Sequence, residues 1–388
     1  MGQAVFDVAV IGGGLHGLSA ALHLARAGKR VVVLERAWVG RHASGASAAG
    51  VRTLNRDLRE LDLALESMDM WRHIASLVGD DCGFHAHGQI CVAEDAANLS
   101  KLEARVAELN AKGYTHEAII DGTELRRRVP AISAHCVGAS IAADNGAADP
   151  HRTLAAFRRS AQAAGVVIRE GHGVCGIERR GQDWAIEIER NGHAASEHDG
   201  PLVVPVLVNA AGAWAGRIAA MVGDIIALGT KASMMIVSER IAPMIEPVVS
   251  IMGRSLSFKQ SDQGTLVIGG GLQGVPDLDR ETSEVRMGIL SKGARAATDL
   301  FPCVRDVRIV RVWSGLEAKT VDLLPIVGPA VNAPGVFHAF GYSGHGFQLA
   351  PVVGAALADL IVNGSTRRAI ALLNAQRLIV APHSEVSA

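Results

Sequence analysis

The stretch VAVIGGGLHGLSAALHLARAG, residues 8–28, restricts the fold more than any other part of the chain. An apolar run of strand length gives way to Gly12-x-Gly14-x-x-Gly17, an amphipathic helical run closes on Gly28, and VVVLE then puts Glu35 at the end of a second strand. This is a βαβ unit of the kind that binds dinucleotides. Its glycines serve the tight turn, the close approach of backbone to a pyrophosphate, and helix-strand packing, while Glu35 can hydrogen-bond a ribose diol. An acid rather than an arginine at 35 disfavours a 2′-phosphate. FAD and NAD both fit the unit, so the choice between them falls to residues further along.

With 388 residues the chain exceeds the roughly 250–300 at which single cores stop growing, so two domains are expected. A net charge of -1 gives no electrostatic reason to expect nucleic acid, and the basic run Arg126, Arg127 and Arg128 reads as a solvated helix face. The five cysteines are odd in number and contain no C-x-x-C pair, so neither a disulfide framework nor a metal site is expected. A first strand beginning near Val5 leaves no room for a signal peptide. No uninterrupted apolar run approaches the ~18 residues of a membrane span, and MGQAVF lacks the serine or threonine of a myristoylation signal. The expectation is a cytoplasmic protein without a transmembrane segment.

Along the chain, α/β alternation is interrupted twice by strand-rich texture. Leu58, Leu61, Leu65, Met68, Trp71 and Ile74 recur at helical spacing and read as core. DPHRTLAAFRRSAQAAG reads as a helix with proline at its start and Gly165 past its end, and VVIRE and VVPVLVNAAGAW as parallel strands buried on both faces. Asp262 to Gly264 reads as a hairpin turn. The expected division is a nucleotide-binding domain from 1–85, 148–225 and 312–388, with a smaller β-rich domain from 86–147 and 226–311.

GYSGHGFQLAPVVG, from Gly341 to Gly354, raises a separate question. A nucleophile elbow would make Ser343 catalytic, but that pattern needs glycine two residues later and this chain has His345. The remaining reading is a turn of backbone N–H groups at a helix N-terminus, facing an anion or an electron-rich ring.

Together with RHASGASAAGVR, VNAAGAWA and RVWSGLEAKTVDLLPIVGP, this segment resembles, in order and nearly end to end, the D-amino-acid oxidase superfamily of flavoproteins. Glycine oxidases, sarcosine oxidases and the flavin subunits of D-hydroxyproline and opine dehydrogenases belong to it. The resemblance implies an α/β fold, a Rossmann-like FAD-binding domain of the glutathione reductase type interleaved with an α+β substrate domain. It implies that Gly12, Gly14 and Gly17, with Leu15 and His16, hold the pyrophosphate, and Glu35 and Arg36 the adenosine end. Arg41, Ser44, Ala49 and Gly50 would line the pyrophosphate and one side of the flavin, Val174 would meet the adenine, and Ala211 and Gly212 would add a second strand-end contact. Gly341, Gly344, His345, Gly346, Phe347 and Gln348 would cap the pyrimidine side of the ring.

The departures from the family pattern matter as much. Glycine oxidase-like members carry a carboxylate-binding arginine where this chain has Glu317, and a second where it has Gly344. Sarcosine oxidase-like members carry lysine at the place of Gln348, and their covalent flavin cysteine corresponds to Gly315, so non-covalent FAD is expected. Arg52 is the candidate for carboxylate recognition, with Arg56 or Lys259 in reserve, and Glu317, His345 and Gln348 complete the expected catalytic surroundings. Glu317 would meet a cationic or hydroxylated group, or pair with Lys319 or Arg52 as a structural carboxylate. Tyr342 reads as packing. The implied activity is hydride removal from the C–H beside an amine nitrogen, flavin N5 accepting. The substrate would be a small D-amino acid, a cyclic imino acid such as a hydroxyproline, or an N-substituted glycine. The acceptor would be O2 or a quinone; the alternative is a flavin subunit passing electrons to a partner.

Overall fold

The computed structural model describes residues 5–190, 193–194 and 200–379. A six-stranded sheet is built from β1 (Val8–Ile11), β2 (Val31–Leu34), β8 (Val167–Arg169), β13 (Val206–Asn209), β21 (Ile326–Pro329) and β22 (Val336–Phe340), in the order β21-β22-β13-β1-β2-β8. All neighbours are parallel except β21 and β22. β1 and β2 are apolar at every position because both faces are covered. On one face lie α1 (Leu15–Arg26), α2 (Leu58–Arg72), α3 (Ile74–Val78), α6 (Pro150–Ala163) and α9 (Gly346–Asn363), their core including Leu18, Leu22, Leu63, Trp71, Phe157 and Val353. On the other lies an antiparallel sheet of β9 (His172–Arg180), β10 (Asp183–Arg190), β11 (His193–Ala194) and β12 (Leu202–Val204), with α7 (Ala215–Met221) beside it.

A second large sheet has the order β20-β14-β17-β16-β15-β4-β6-β5. Its strands are β4 (Gln89–Ala93), β5 (Ala118–Asp121), β6 (Gly138–Ala142), β14 (Gly229–Arg240), β15 (Val248–Ile251), β16 (Arg254–Gln260), β17 (Thr265–Gly269) and β20 (Ile309–Lys319). Helices α4 (Ala96–Ala111), α5 (Gly122–Arg128) and α8 (Met287–Leu300) accompany it, and Leu290, Ala297 and Leu300 of α8 pack with Met234, Phe258 and Ile268. Two short ribbons bridge the halves: β3 (Gly50–Val51) with β7 (Gly146–Ala147), and β18 (Val275–Asp277) with β19 (Thr282–Glu284). The chain is therefore a Rossmann-like α/β half joined to a β-rich half, the interleaved arrangement the sequence implied.

Several local expectations shift. VVPVLVN is two strands in different sheets, parted at Pro205: β12 runs antiparallel to β10, while β13 joins β1. VVIRE forms β8 at the sheet edge with Val167 exposed, rather than a strand buried on both sides. The helical pattern from 58 to 74 breaks at His73 into α2 and α3. β20 begins before residue 312 and pairs along its length with β14, so the expected boundary falls inside a strand of the second sheet. α9 is long and apolar enough to cross a membrane by length and composition, but it is a mostly buried core helix packed on α1 and α2. Its Gly354 allows that approach, since a Cβ there would stand 2.2 Å from Ser19 Oγ.

Candidate functional site

The two glycine-rich turns face one cavity of about 830 Å³ lined from both large sheets. In the first, Gly12 has φ +109°, and a Cβ on it would meet the Ala210 carbonyl oxygen at 2.4 Å. Gly17 lies behind the turn, where a Cβ would stand 2.0 Å from Gly12 O; it lets α1 close on β1 and does not itself line the cavity. Gly14, Leu15 and His16 bring the α1 N-terminus to the wall, with no acid in its first turn and the Leu15 N–H donated to Ser44 Oγ at 3.0 Å. Glu35 accepts the N–H groups of Gly13 at 2.7 Å and Ala37 at 2.9 Å, and burial raises its carboxyl pKa. Arg36, Arg41, Ala49, Gly50, Val174, Ala211 and Gly212 line the same cavity. Gly315 does too; a side chain there would strike Ala46, whose Cβ lies 2.5 Å from the Cβ position.

The second turn is held in left-handed backbone at Gly341 (φ +80°), Ser343 (φ +55°) and Gly344 (φ +99°). Ser343 Oγ donates to Gly341 O at 3.1 Å and accepts from Thr320 N–H at 3.3 Å, which makes it a staple of the turn and not a nucleophile. His345 leads into α9, whose first turn has no side-chain cap and no acid. Tyr342 stacks on His16 with ring centroids 3.7 Å apart, and His16 Nε2 donates to Gly346 O at 2.9 Å. The packing role expected of Tyr342 thus has a specific partner.

Three polar atoms of cavity residues are buried without a hydrogen-bond partner among the described residues: His16 Nδ1, Arg41 Nε and Tyr342 OH. Buried polar groups are as a rule satisfied, and three such atoms on residues of one cavity suit a polar ligand. Two helix N-termini free of acids and a backbone cradle closed to Cβ atoms suit a pyrophosphate and a ring that becomes anionic. The residues therefore fit FAD.

The predicted catalytic residues separate. Arg52 lines the cavity and donates to Leu54 O at 2.5 Å; no carboxylate lies in ion-pair range among the described residues. Burial lowers its pKa to about 9, which leaves it charged at neutral pH. Gln348 is a correction: its side chain is fully buried between α2 and α9, accepting from Arg56 at 3.1 Å and donating to Ala64 O at 2.8 Å, so it does not line the cavity. Arg56, 1 % exposed, is also withdrawn from the reserve role, because it pairs with Glu60 at 3.2 Å and donates to His345 O and Arg52 O. Lys259 lies outside this cavity, near the Ala148 carbonyl. Glu317 is in the wall but pairs with neither Lys319 nor Arg52: its Oε1 accepts from Ser233 Oγ at 2.8 Å and lies 3.6 Å from Lys231 Nζ. His345 Nδ1 stands 3.3 Å from Glu60 Oε1, and burial pulls the imidazole pKa down to about 4.

Sequence reasoning missed Lys231, Ser233 and the apolar wall of Met235, Met252 and Leu256. The alternation of β14 signals a strand with two faces, yet only the β14–β20 register puts Lys231 opposite Glu317.

The family described as "DAO: FAD dependent oxidoreductase" matches residues 7–360. An opine oxidase subunit from Agrobacterium tumefaciens (strain Ach5) is 28% identical, over 87% of this chain and 89% of its own. Glycine oxidase of Geobacillus kaustophilus (strain HTA426) is 25% identical, over 93% and 94%. The crystal structure of L-proline dehydrogenase from P. horikoshii superposes with a TM-score of 0.87 at 25% identity, covering 96% of this chain and 97% of that one.

Proposed function

This chain belongs to the DAO family of FAD-dependent oxidoreductases, and we propose that it oxidises the C–H bond beside the nitrogen of a small carboxylate-bearing amine. Oxidation of amines or amino acids with FAD is the activity of the family members it matches. A proline-like imino acid, a D-amino acid or an N-substituted glycine is the substrate class put forward. Arg52 carries the reading: a charged guanidinium without an ionic partner among the described residues, in a cavity that Met235, Met252 and Leu256 also line. Bound FAD supplies the hydride acceptor.

The chain's own residues do the rest. Arg52 holds the carboxylate, the methionine and leucine side chains exclude water, and together they fix the reacting carbon. The α9 N-terminus has no side-chain cap, and its N–H groups would stabilise negative charge on the bound ring. Gly12, Gly14, Glu35, Arg36 and Arg41 would hold the dinucleotide without a covalent bond.

The test is anaerobic bleaching of the purified flavoprotein by glycine, sarcosine, and D- and L-forms of alanine, proline and hydroxyproline. At least one is expected to bleach it, and Arg52→Gln is expected to raise that substrate's KM about tenfold or more, ~1.4 kcal/mol. Acid precipitation should leave the flavin in the supernatant. A protein that carries no flavin, or that no amine reduces, overturns the proposal.

A second reading, a flavin subunit that passes electrons to a partner or quinone, is supported by the opine oxidase relative, which is named as one subunit of its enzyme. Peroxide formed stoichiometrically by the isolated chain would count against it; turnover with an artificial quinone alone would favour it.

A further inference from the structure

The segment that carries Arg52 into the cavity is held at every residue from 52 to 56 by a side chain. Asn145 Oδ1 accepts the N–H groups of Thr53 at 2.7 Å and Leu54 at 2.9 Å, and Glu117 accepts that of Asn55 at 2.9 Å. Both acceptors are buried, Asn145 1 % and Glu117 3 % exposed. Arg105 donates to Arg56 O at 2.9 Å, and Arg56 Nε donates to Arg52 O at 3.1 Å. Because Arg52 Nη1 rests on Leu54 O, at 2.5 Å, its guanidinium goes where this segment goes.

Arg56 also reaches beyond the segment. Its Nη2 donates to His345 O at 3.2 Å and to Gln348 Oε1 at 3.1 Å, both on the α9 side, while Nη1 donates to Glu60 Oε1 at 3.2 Å. The same Glu60 oxygen stands 3.3 Å from His345 Nδ1. A guanidinium presents its donors in a fixed, planar fork, so one buried group sets the spacing between the Arg52 backbone and the turn at the head of α9. The join between α2 and α9 is made without it: Ser67 Oγ and Trp71 Nε1 donate to Gln348 O at 2.5 and 2.8 Å, and Gln348 Nε2 donates to Ala64 O at 2.8 Å. A buried ion pair adds little stability over apolar side chains of similar volume, so the use of this one lies in its geometry.

We propose that Arg56, braced by Glu60, is a positioning residue that ties the carboxylate anchor Arg52 to the turn expected to cap the flavin, and so fixes where a substrate stands relative to the ring. This rests on the amine-oxidising reading above, from which Arg52 has its role, and adds the residue that aims it. With its nitrogens engaged by protein groups and its side chain 1 % exposed, Arg56 acts through Arg52 and His345 and not on the substrate itself.

Two variants test the tie. Arg56→Lys keeps the buried charge and its pairing with Glu60 but loses the fork, and Arg56→Met combined with Glu60→Gln removes the fork and leaves no charge unpaired. Methoxyacetate, a carboxylate with no amine to oxidise, reports on Arg52 through the shift of the visible flavin band in the flavin-loaded protein. Titration of the apoprotein with FAD, followed by tryptophan quenching, reports on the turn. Both variants are expected to bind methoxyacetate at least about tenfold more weakly and FAD about threefold more weakly, while the apoprotein melts as the unaltered one does. In a variant whose melting temperature is kept, an unchanged affinity for either ligand overturns the proposal. If both variants melt lower or fail to fold, Arg56 is a staple of the fold, which overturns it as well. Failure of the reading it rests on looks different: methoxyacetate would bind Arg52→Gln as tightly as the unaltered protein, and the affinity for FAD alone would then decide for or against Arg56.

Discussion

Four histidines are kept neutral by where they sit. Burial is the largest cause in each, pulling His16 to about 3 and His23, His42 and His345 to about 4, against 6.5 for a free imidazole. Because the unfolded chain takes up protons that the folded one refuses between pH 6.5 and about 4, stability must fall as pH drops through that window. Melting temperature by scanning calorimetry is expected to decline steadily from pH 7 to 4.5. His16→Phe, which keeps a ring against Tyr342, should flatten the slope; an unchanged slope would remove His16 from the account. The neutrality of His345 also has a local use, since a third positive charge beside Arg52 and Arg56 would oppose both. None of this could be read from the sequence, where His345 is one of 15 histidines and the Glu60 it contacts lies almost three hundred positions away. The failure of Gln348 as a cavity residue has the same origin. The helix phase that puts His345 at the cavity turns residue 348 toward α2.

The β18–β19 hairpin reaches from the second sheet across to the nucleotide half. Trp214 Nε1 donates to Leu278 O at 3.1 Å, and Glu281 holds Arg36 at 3.0 Å while standing 3.7 Å from Arg41 and 3.8 Å from His42. Glu281 thus occupies charge that a pyrophosphate would use, and like charges at such range repel by about 1 kcal/mol at the dielectric of water and about 4 kcal/mol at an effective dielectric of about 20. Glu281→Gln is expected to tighten FAD binding about three- to tenfold, measured by quenching of tryptophan fluorescence in the apoprotein. Weaker binding would mean that the carboxylate serves by orienting the arginines. Local elements were mostly legible: α1 with its closing Gly28, α6 with Pro150 first and Gly165 after, and the turn between β16 and β17 all follow from residues close in sequence. What was not legible depends on distant partners. Pro205 marks a break, but nothing nearby says that β12 leaves for another sheet, and the hairpin carrying Glu281 gives no sign of reaching Arg36.

Because the cavity is lined from both large sheets, FAD binding couples them. A ligand at a hundred times its dissociation constant stabilises the folded state by about 2.7 kcal/mol, and both halves should share it. Thermal unfolding of the apoprotein followed by far-ultraviolet dichroism and by tryptophan fluorescence is expected to show coincident transitions that rise together with added FAD. If only one of the two signals moves, the halves unfold independently.

The strand order of the six-stranded sheet has a consequence in time. β1 pairs with β2 almost at once, but its other neighbour, β13, lies about two hundred residues on, and β22 about another hundred and thirty. At the roughly 5–20 residues per second of a ribosome, the open edge of β1 waits on the order of ten to forty seconds. Through that interval the nascent chain offers an unpaired, wholly apolar strand, the kind of surface that chaperones cover and that aggregates when they do not. The yellow colour of the flavin cannot arrive before the last turn has been made, so in a culture it reports that synthesis finished and that the wait ended well.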